Sequence, residues 1–317
     1  MLKKLFVLFL PAPLLLTLFC QLALAADESR TLRLALLPIP DVLPVYVALE
    51  KGYFTEVSLK VEPLTVGSAV ERDQLMQAGR IDGMINEIAG AANFNRDKGQ
   101  VKIVAVARSP IGESPLFRVL AAPDSGITKV TDLSGVPIGV SKNTIIEYIT
   151  TRLLTAGGVE PGDITYKSVP VLPERLQLLL SGQLKAVTLP DPLGASAVKS
   201  GAVEIVSDTA LRAMSASVVT FSNSALSEKG AAVRDFMSAW DRAVADLNDD
   251  PESFRPLMLK NIRVPKNVAA DFRIPPLPRN ALPTKEQWDD VMSWMVEKKL
   301  LPAPLVFEDS VTAEFLP

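Results

Sequence analysis

A buried strand that ends in prolines and feeds a helix constrains this chain more than any other stretch. Residues 32–37, Leu-Arg-Leu-Ala-Leu-Leu, form an apolar run too short for a helix, and Pro38 and Pro40 close it. Asp41 can cap the helix that follows, and Gly52 suits the left-handed position just past its end. A strand, a tight loop and a helix in this order put Pro38, Ile39, Pro40 and Asp41 at the carboxyl end of a sheet strand. Open α/β sheets bind their ligands at that end.

The same unit recurs along the chain. Apolar strands are expected at 58–66, 81–85, 102–107 and 117–122, with helices at 69–78 and 89–95. After a turn at 123–126 the pattern restarts, with strands at 136–140, 164–169, 185–189 and 203–206 and helices between them. Alternation of this kind means βαβ units and a largely parallel sheet. Residues 77–83 and 180–186 both read as a helix end, a glycine and then a strand, which suggests two similar α/β lobes. A strand at 218–222 is followed by helices. The one from residue 228 to 247 carries Val233, Phe236, Trp240 and Val244 on one apolar face, so Trp240 reads as core. Proline-rich residues 273–283 are expected to be extended, ahead of a helix starting at Thr284.

Where strands give way to helices, the candidate ligand contacts are Pro38, Ile39, Pro40, Asp41, Gly67, Ser68, Asn86, Glu87, Ser109, Ser141, Asn143, Thr144, Pro190 and Asp191. Asp41 and Asp191 are also good helix caps, and Pro192 suits a first helical position. Glu87 is a less favoured cap, which leaves it freer for a ligand. Residues 141–144 could offer hydroxyls and a helix N-terminus to an anion. The other loops supply Asp41, Glu87 and Asp191 with little positive charge in view, so the rim reads as acidic and suited to a neutral or cationic organic molecule.

Composition removes several chemistries. The only cysteine, Cys20, lies in an apolar run that follows Lys3 and Lys4 and ends in Ala23-Leu24-Ala25, the pattern of a secretory signal peptide cleaved after Ala25. Pro11 and Pro13 interrupt that run, and Leu18-Phe19 do not suit a lipoprotein signal. The mature chain then holds no cysteine and no histidine, which excludes thiol nucleophiles, imidazole bases and His- or Cys-ligated metal sites. Neither a cofactor nor a metal is expected. Loss of Lys3 and Lys4 takes the formal charge from −3 to −5, against nucleic acid as a partner.

Four segments together resemble the periplasmic solute-binding proteins of the nitrate, sulfonate and taurine type, a group that includes thiamine-pyrimidine binders. They are residues 47–54 (Val-Ala-Leu-Glu-Lys-Gly-Tyr-Phe), 77–83 (Gln-Ala-Gly-Arg-Ile-Asp-Gly), 132–140 (Asp-Leu-Ser-Gly-Val-Pro-Ile-Gly-Val), and 180–183 with Pro190-Asp191-Pro192. The resemblance implies a two-lobe periplasmic binding protein fold of type II, each lobe a mixed sheet flanked by helices, with two crossing hinge strands. Lobe one would comprise 26–121 and 219–317, and lobe two 122–218, with residues 117–122 leaving lobe one and 218–222 returning. It implies a periplasmic monomer, no enzyme, that captures a small ligand in the interlobe cleft and delivers it to an ATP-binding-cassette permease. The alternatives are delivery to a sensor or scaffold, or an oxyanion ligand. The histidine-consuming pyrimidine synthases of the superfamily are excluded by the absence of histidine. Exported protein should begin at Ala26. Intact-mass measurement of periplasmic material checks this, and a lipid on Cys20 would contradict it.

Overall fold

The computed structural model describes residues 29–317; the signal-peptide reading lies outside them. Strands β1 (Thr31–Leu36), β2 (Lys60–Thr65), β3 (Gly83–Glu87) and β4 (Val101–Arg108) belong to a first sheet. Strands β5 (Phe117–Ala121), β6 (Pro137–Val140), β7 (Thr165–Ser168), β8 (Ala186–Pro190) and β9 (Val203–Ser207) form a second, and β10 (Ser217–Ser222) returns to the first. The strand orders are β2-β1-β3-β10-β4 and β7-β6-β8-β5-β9. In each sheet three strands run parallel, and the strand that comes from across the sheets pairs antiparallel.

Helices α1 (Leu43–Glu50), α2 (Ala69–Gln77) and α3 (Ile88–Asn95) follow strands of the first sheet. Helices α4 (Ile145–Ala156), α5 (Leu172–Leu180) and α6 (Leu193–Lys199) follow those of the second, and α7 (Gly230–Asp249) and α8 (Lys285–Glu297) close the chain order. Gly79 and Gly182 cap α2 and α5 at φ +62° and +71°, a left-handed conformation that L side chains avoid. These are the two glycines of the repeated segment. Trp240 is buried on α7, and Phe236 of the same face stacks on Phe54 at 5.5 Å. Thr284 caps α8 with a full capping box, and residues 273–283 hold neither helix nor strand.

One expectation needs correcting. Residues 117–121 do not extend the first sheet; β5 pairs with β8 and β9 in the second. The chain changes sheets in the segments between Arg108 and Phe117 and between Ser207 and Ser217. An apolar strand looks the same from either sheet, so its pattern could not say which one it joins. Asp208 knits the two crossings: it is fully buried, accepts from the Leu116 N–H (3.0 Å) on one segment and from the Ser215 hydroxyl (2.6 Å) on the other.

The sheets are further tied by α8. Asp290 accepts from the Tyr148 hydroxyl at 2.6 Å and from Arg152 Nε at 2.8 Å, both on α4. Trp294 packs edge-on against Tyr148 at 5.6 Å. On the other side, Asn267 exchanges two hydrogen bonds with Ser196 of α6. Among the described residues no helix is long and apolar enough to cross a membrane.

Burial pushes the Asp208 carboxyl up from 3.8 to about 6, against the opposing pull of its hydrogen bonds and of Arg108. The folded protein therefore holds this proton more tightly than the unfolded chain. Stability from this group is full below pH 3.8 and is lost as pH rises through 6, on the order of 3 kcal/mol in all. Asp208→Asn should flatten this slope, so that the melting-temperature difference between pH 4.5 and 7.5 (roughly the window set by linkage) shrinks relative to wild type.

Candidate functional site

The carboxyl ends of β1, β3 and β4 and those of β6 and β8 carry the loops that line the space between the sheets. Side-chain pairing there overturns the acidic rim expected from sequence. Asp41 does not cap a helix: it lies inside a 3-10 turn, Pro40–Val42, and pairs with Arg108 Nη1 at 3.3 Å, both side chains buried. Glu87 sits at the start of α3 without a cap bond and pairs with buried Arg72 at 3.3 Å. Asp191 takes a two-pronged bond from Arg118 (2.8 and 2.9 Å), and Glu204 meets the same guanidinium. Its Oδ1 also accepts the Ala195 N–H at 3.0 Å, so the capping expectation holds for this residue alongside the ion pair.

Each rim carboxylate is thus matched by an arginine from another segment. Arg108, which sequence offered only as a cation that could point away, turns inward and also donates to the Pro115 carbonyl at 2.7 Å. Close glycines make room for the other two acids. A Cβ on Gly90 would stand 2.7 Å from Glu87 Oε2, and one on Gly194 would stand 2.8 Å from Asp191 Oδ1.

Buried arginines also reveal a longer internal repeat. Glu71-Arg72 with Gln74-Leu75 before Gly79 matches Glu174-Arg175 with Gln177-Leu178 before Gly182. Arg72 Nη1 donates to Ile85 O (3.1 Å) and Arg175 Nη1 to Thr188 O (2.7 Å), thirteen residues on in both cases. Where lobe one then supplies Glu87, lobe two supplies Pro190, and Arg175 has no carboxylate partner. Its remaining donors go to the Val169 carbonyl and the Ser141 hydroxyl oxygen. Burial with no opposing charge pushes Arg175 down to about 10.

The other candidates are placed as follows. Pro38 and Ile39 are half-buried and Pro40 is buried; Gly67 and Ser68 are exposed, with Ser68 capping α2 through the Glu71 N–H. Asn86 is buried, accepts from Thr220 Oγ1 at 2.6 Å, and leaves its Nδ2 without a partner. Ser109 is half-buried in the first crossing segment. Thr144 caps α4, and Asn143 stands at φ +62° with its N–H on Glu147 at 2.6 Å. A cavity of about 390 Å³ opens on the α6 side, walled in part by Arg108, Arg118 and Asp191. Of the predicted residues, Asp191 lines it. Among the described residues no cluster of His, Cys, Asp or Glu could hold a metal ion.

Removing one partner of a buried ion pair strands the other charge, at a cost of roughly 3–5 kcal/mol, whereas a lost cap costs about 1. Asp41→Ala should therefore lower folding stability by about 3 kcal/mol or more, and Asp41→Asn, which keeps an acceptor for Arg108, clearly less. Denaturant midpoints of the two variants check this.

A family model described as "NMT1/THI5 like" matches residues 39–254. A search of curated proteins by sequence finds no match. Among solved structures, the ligand-binding component of an ABC-type import system from Staphylococcus aureus, solved with zinc bound, aligns with a TM-score of 0.74 and 14% identity. The alignment covers 90% of this chain and 98% of that one. The periplasmic aliphatic sulphonate binding protein of Escherichia coli aligns at 0.73 and 18%, covering 89% and 92%. The alkanesulfonate-binding protein of Xanthomonas axonopodis pv. citri, bound to MOPS, aligns at 0.73 and 17%, covering 89% and 98%. These neighbours share the periplasmic binding protein fold expected from the sequence. With more than half its length matched by the family model, the chain belongs to the NMT1/THI5-like family.

Proposed function

We propose that this protein is an exported solute-binding protein that takes a small organic ligand between its two lobes and delivers it to an ATP-binding-cassette permease. The observation that carries the reading is the convergence of strand ends from two similar sheets joined by two crossings. That arrangement lets a ligand draw the lobes together. Membership of the family and the import-system proteins among the structural neighbours support it. In this reading lobe one holds the strands up to Arg108 and those after Ser217, and lobe two the strands between Phe117 and Ser207. Binding without turnover fits a mature chain that lacks both histidine and cysteine.

The sign of the ligand's charge follows from the pairing at the rim. A preference for cations rested on unpaired carboxylates, and arginines compensate Asp41, Glu87 and Asp191. A neutral organic ligand against Pro38 and Ile39 keeps its support. The oxyanion reading gains a specific one: Arg175 brings an unmatched positive charge to Ser141, whose hydroxyl, already accepting from Arg175, is left to donate its proton toward the cleft. The sulfonate-binding neighbours point the same way.

Mass spectrometry of ligand released from natively purified protein should identify an unmodified small molecule. Calorimetry should then give an affinity that falls about tenfold in Ser141→Ala if the ligand is an oxyanion, the effect of one lost charge-assisted hydrogen bond. Chemical conversion of that ligand by the pure protein would contradict the non-catalytic reading. Reconstitution with a neighbouring permease distinguishes transport from a sensor or scaffold role.

A further inference from the structure

The 390 Å³ cavity lies beside the first crossing segment, away from the Ser141 rim, and its walls come from both lobes. Arg108, Phe272 and Arg273 contribute from the first-sheet side, and Arg118, Asp191 and Val198 from the second. Its size falls near the low end of the roughly 300–1,000 Å³ usual for small-molecule sites. Two features of the lining call for a negative group. Arg108 is 2% exposed, and its Nε–H has no hydrogen-bond partner among the described residues, although its other nitrogens serve Asp41 and Pro115. A buried donor left in this state is costly and is satisfied by an incoming acceptor. Arg273, on the rim, makes no ion pair or hydrogen bond.

The rest of the lining sets the remaining chemistry. Val198, Val268, Phe272 and Pro275 offer apolar wall for a ring or a short chain. Arg118 is already held by Asp191 and Glu204, and Lys199 by Asp271, so neither adds free positive charge. Glu113 stands on the same rim without an ion-pair partner and opposes a second negative charge on the occupant.

We propose that this cavity is a second small-molecule site, separate from the Ser141 rim, which takes a monocarboxylate with an apolar body. The carboxylate meets Arg108 Nε and Arg273, and the apolar body lies against Phe272 and Val268. Because the occupant touches both lobes and the crossing segment, it favours the arrangement in which the Asn267–Ser196 bonds are made.

Benzoate, benzamide and phthalate serve as probes in calorimetry on the mature chain. Benzoate should bind, and benzamide and phthalate should bind at least tenfold more weakly. Arg273→Gln, at an exposed position, should weaken benzoate about tenfold and leave the ligand-free melting temperature unchanged. Val198→Trp, on the exposed face of α6, should fill the cavity and abolish benzoate binding, and Ser141→Ala should leave it intact. Absence of benzoate binding, equal affinity for benzoate and benzamide, or unaltered binding in both Arg273→Gln and Val198→Trp would overturn the proposal. So would loss of benzoate in Ser141→Ala, which would place the carboxylate on the rim. Failure here leaves the solute-binding reading standing, because that reading is tested by the natively bound ligand.

Discussion

A guanidinium taken out of water must find acceptors in fixed directions, and in this protein four of them are set where strands end. Arg72 and Arg175 perform one structural task twice, each reaching from the first turn of a helix to a carbonyl of the next strand. That bond fixes how the helix lies on its sheet and so where the loop after the strand emerges. Arg108 and Arg118 do the same for the crossing segments, through Pro115 and Asp191. The rim is therefore held by charge from beneath, and its loops are short and ordered.

Duplication with one change then produces asymmetry. Lobe one carries its arginine's counter-charge in Glu87, whereas the corresponding place in lobe two is Pro190. A buried cation without an anion is expensive, and Arg175 is accommodated by three carbonyl and hydroxyl dipoles in place of a carboxylate. The two halves of the cleft thus present different potentials to a ligand, one closed upon itself and one left positive.

Much of the fold was legible in the sequence because it is local. The βα order, the glycine ends of α2 and α5, the Thr284 cap and the apolar face around Trp240 all depend on residues within a few turns of one another. The ion pairs were not legible. Asp41 and Arg108 are 67 residues apart, and Asp191 and Arg118 are 73 apart, so the acids could be listed while their partners could not. Each acid looked free for that reason, and the rim looked acidic. The placement of β5 failed on the same ground, since sheet membership is a long-range property. One signal was available: the Glu-Arg-x-Gln-Leu match between residues 71–75 and 174–178 extends the glycine repeat and marks both arginines.

The two seams between the lobes differ in kind, and the difference bears on how they part. Along α8, Trp294 packs on buried Tyr148, and Asp290 binds both Tyr148 and Arg152, with burial and the Asp290 bond pushing the Tyr148 hydroxyl's pKa upward. Separating that seam would expose aromatic surface and strand a hydroxyl. Along α6 the contacts are the Asn267 hydrogen bonds and an exposed pair, Lys199 with Asp271, which water replaces at little cost. Relative motion of the lobes then pivots on the aromatic seam and opens the polar one. The apolar-walled cavity lies along that polar seam, where an occupant adds the burial that the surrounding hydrogen bonds lack.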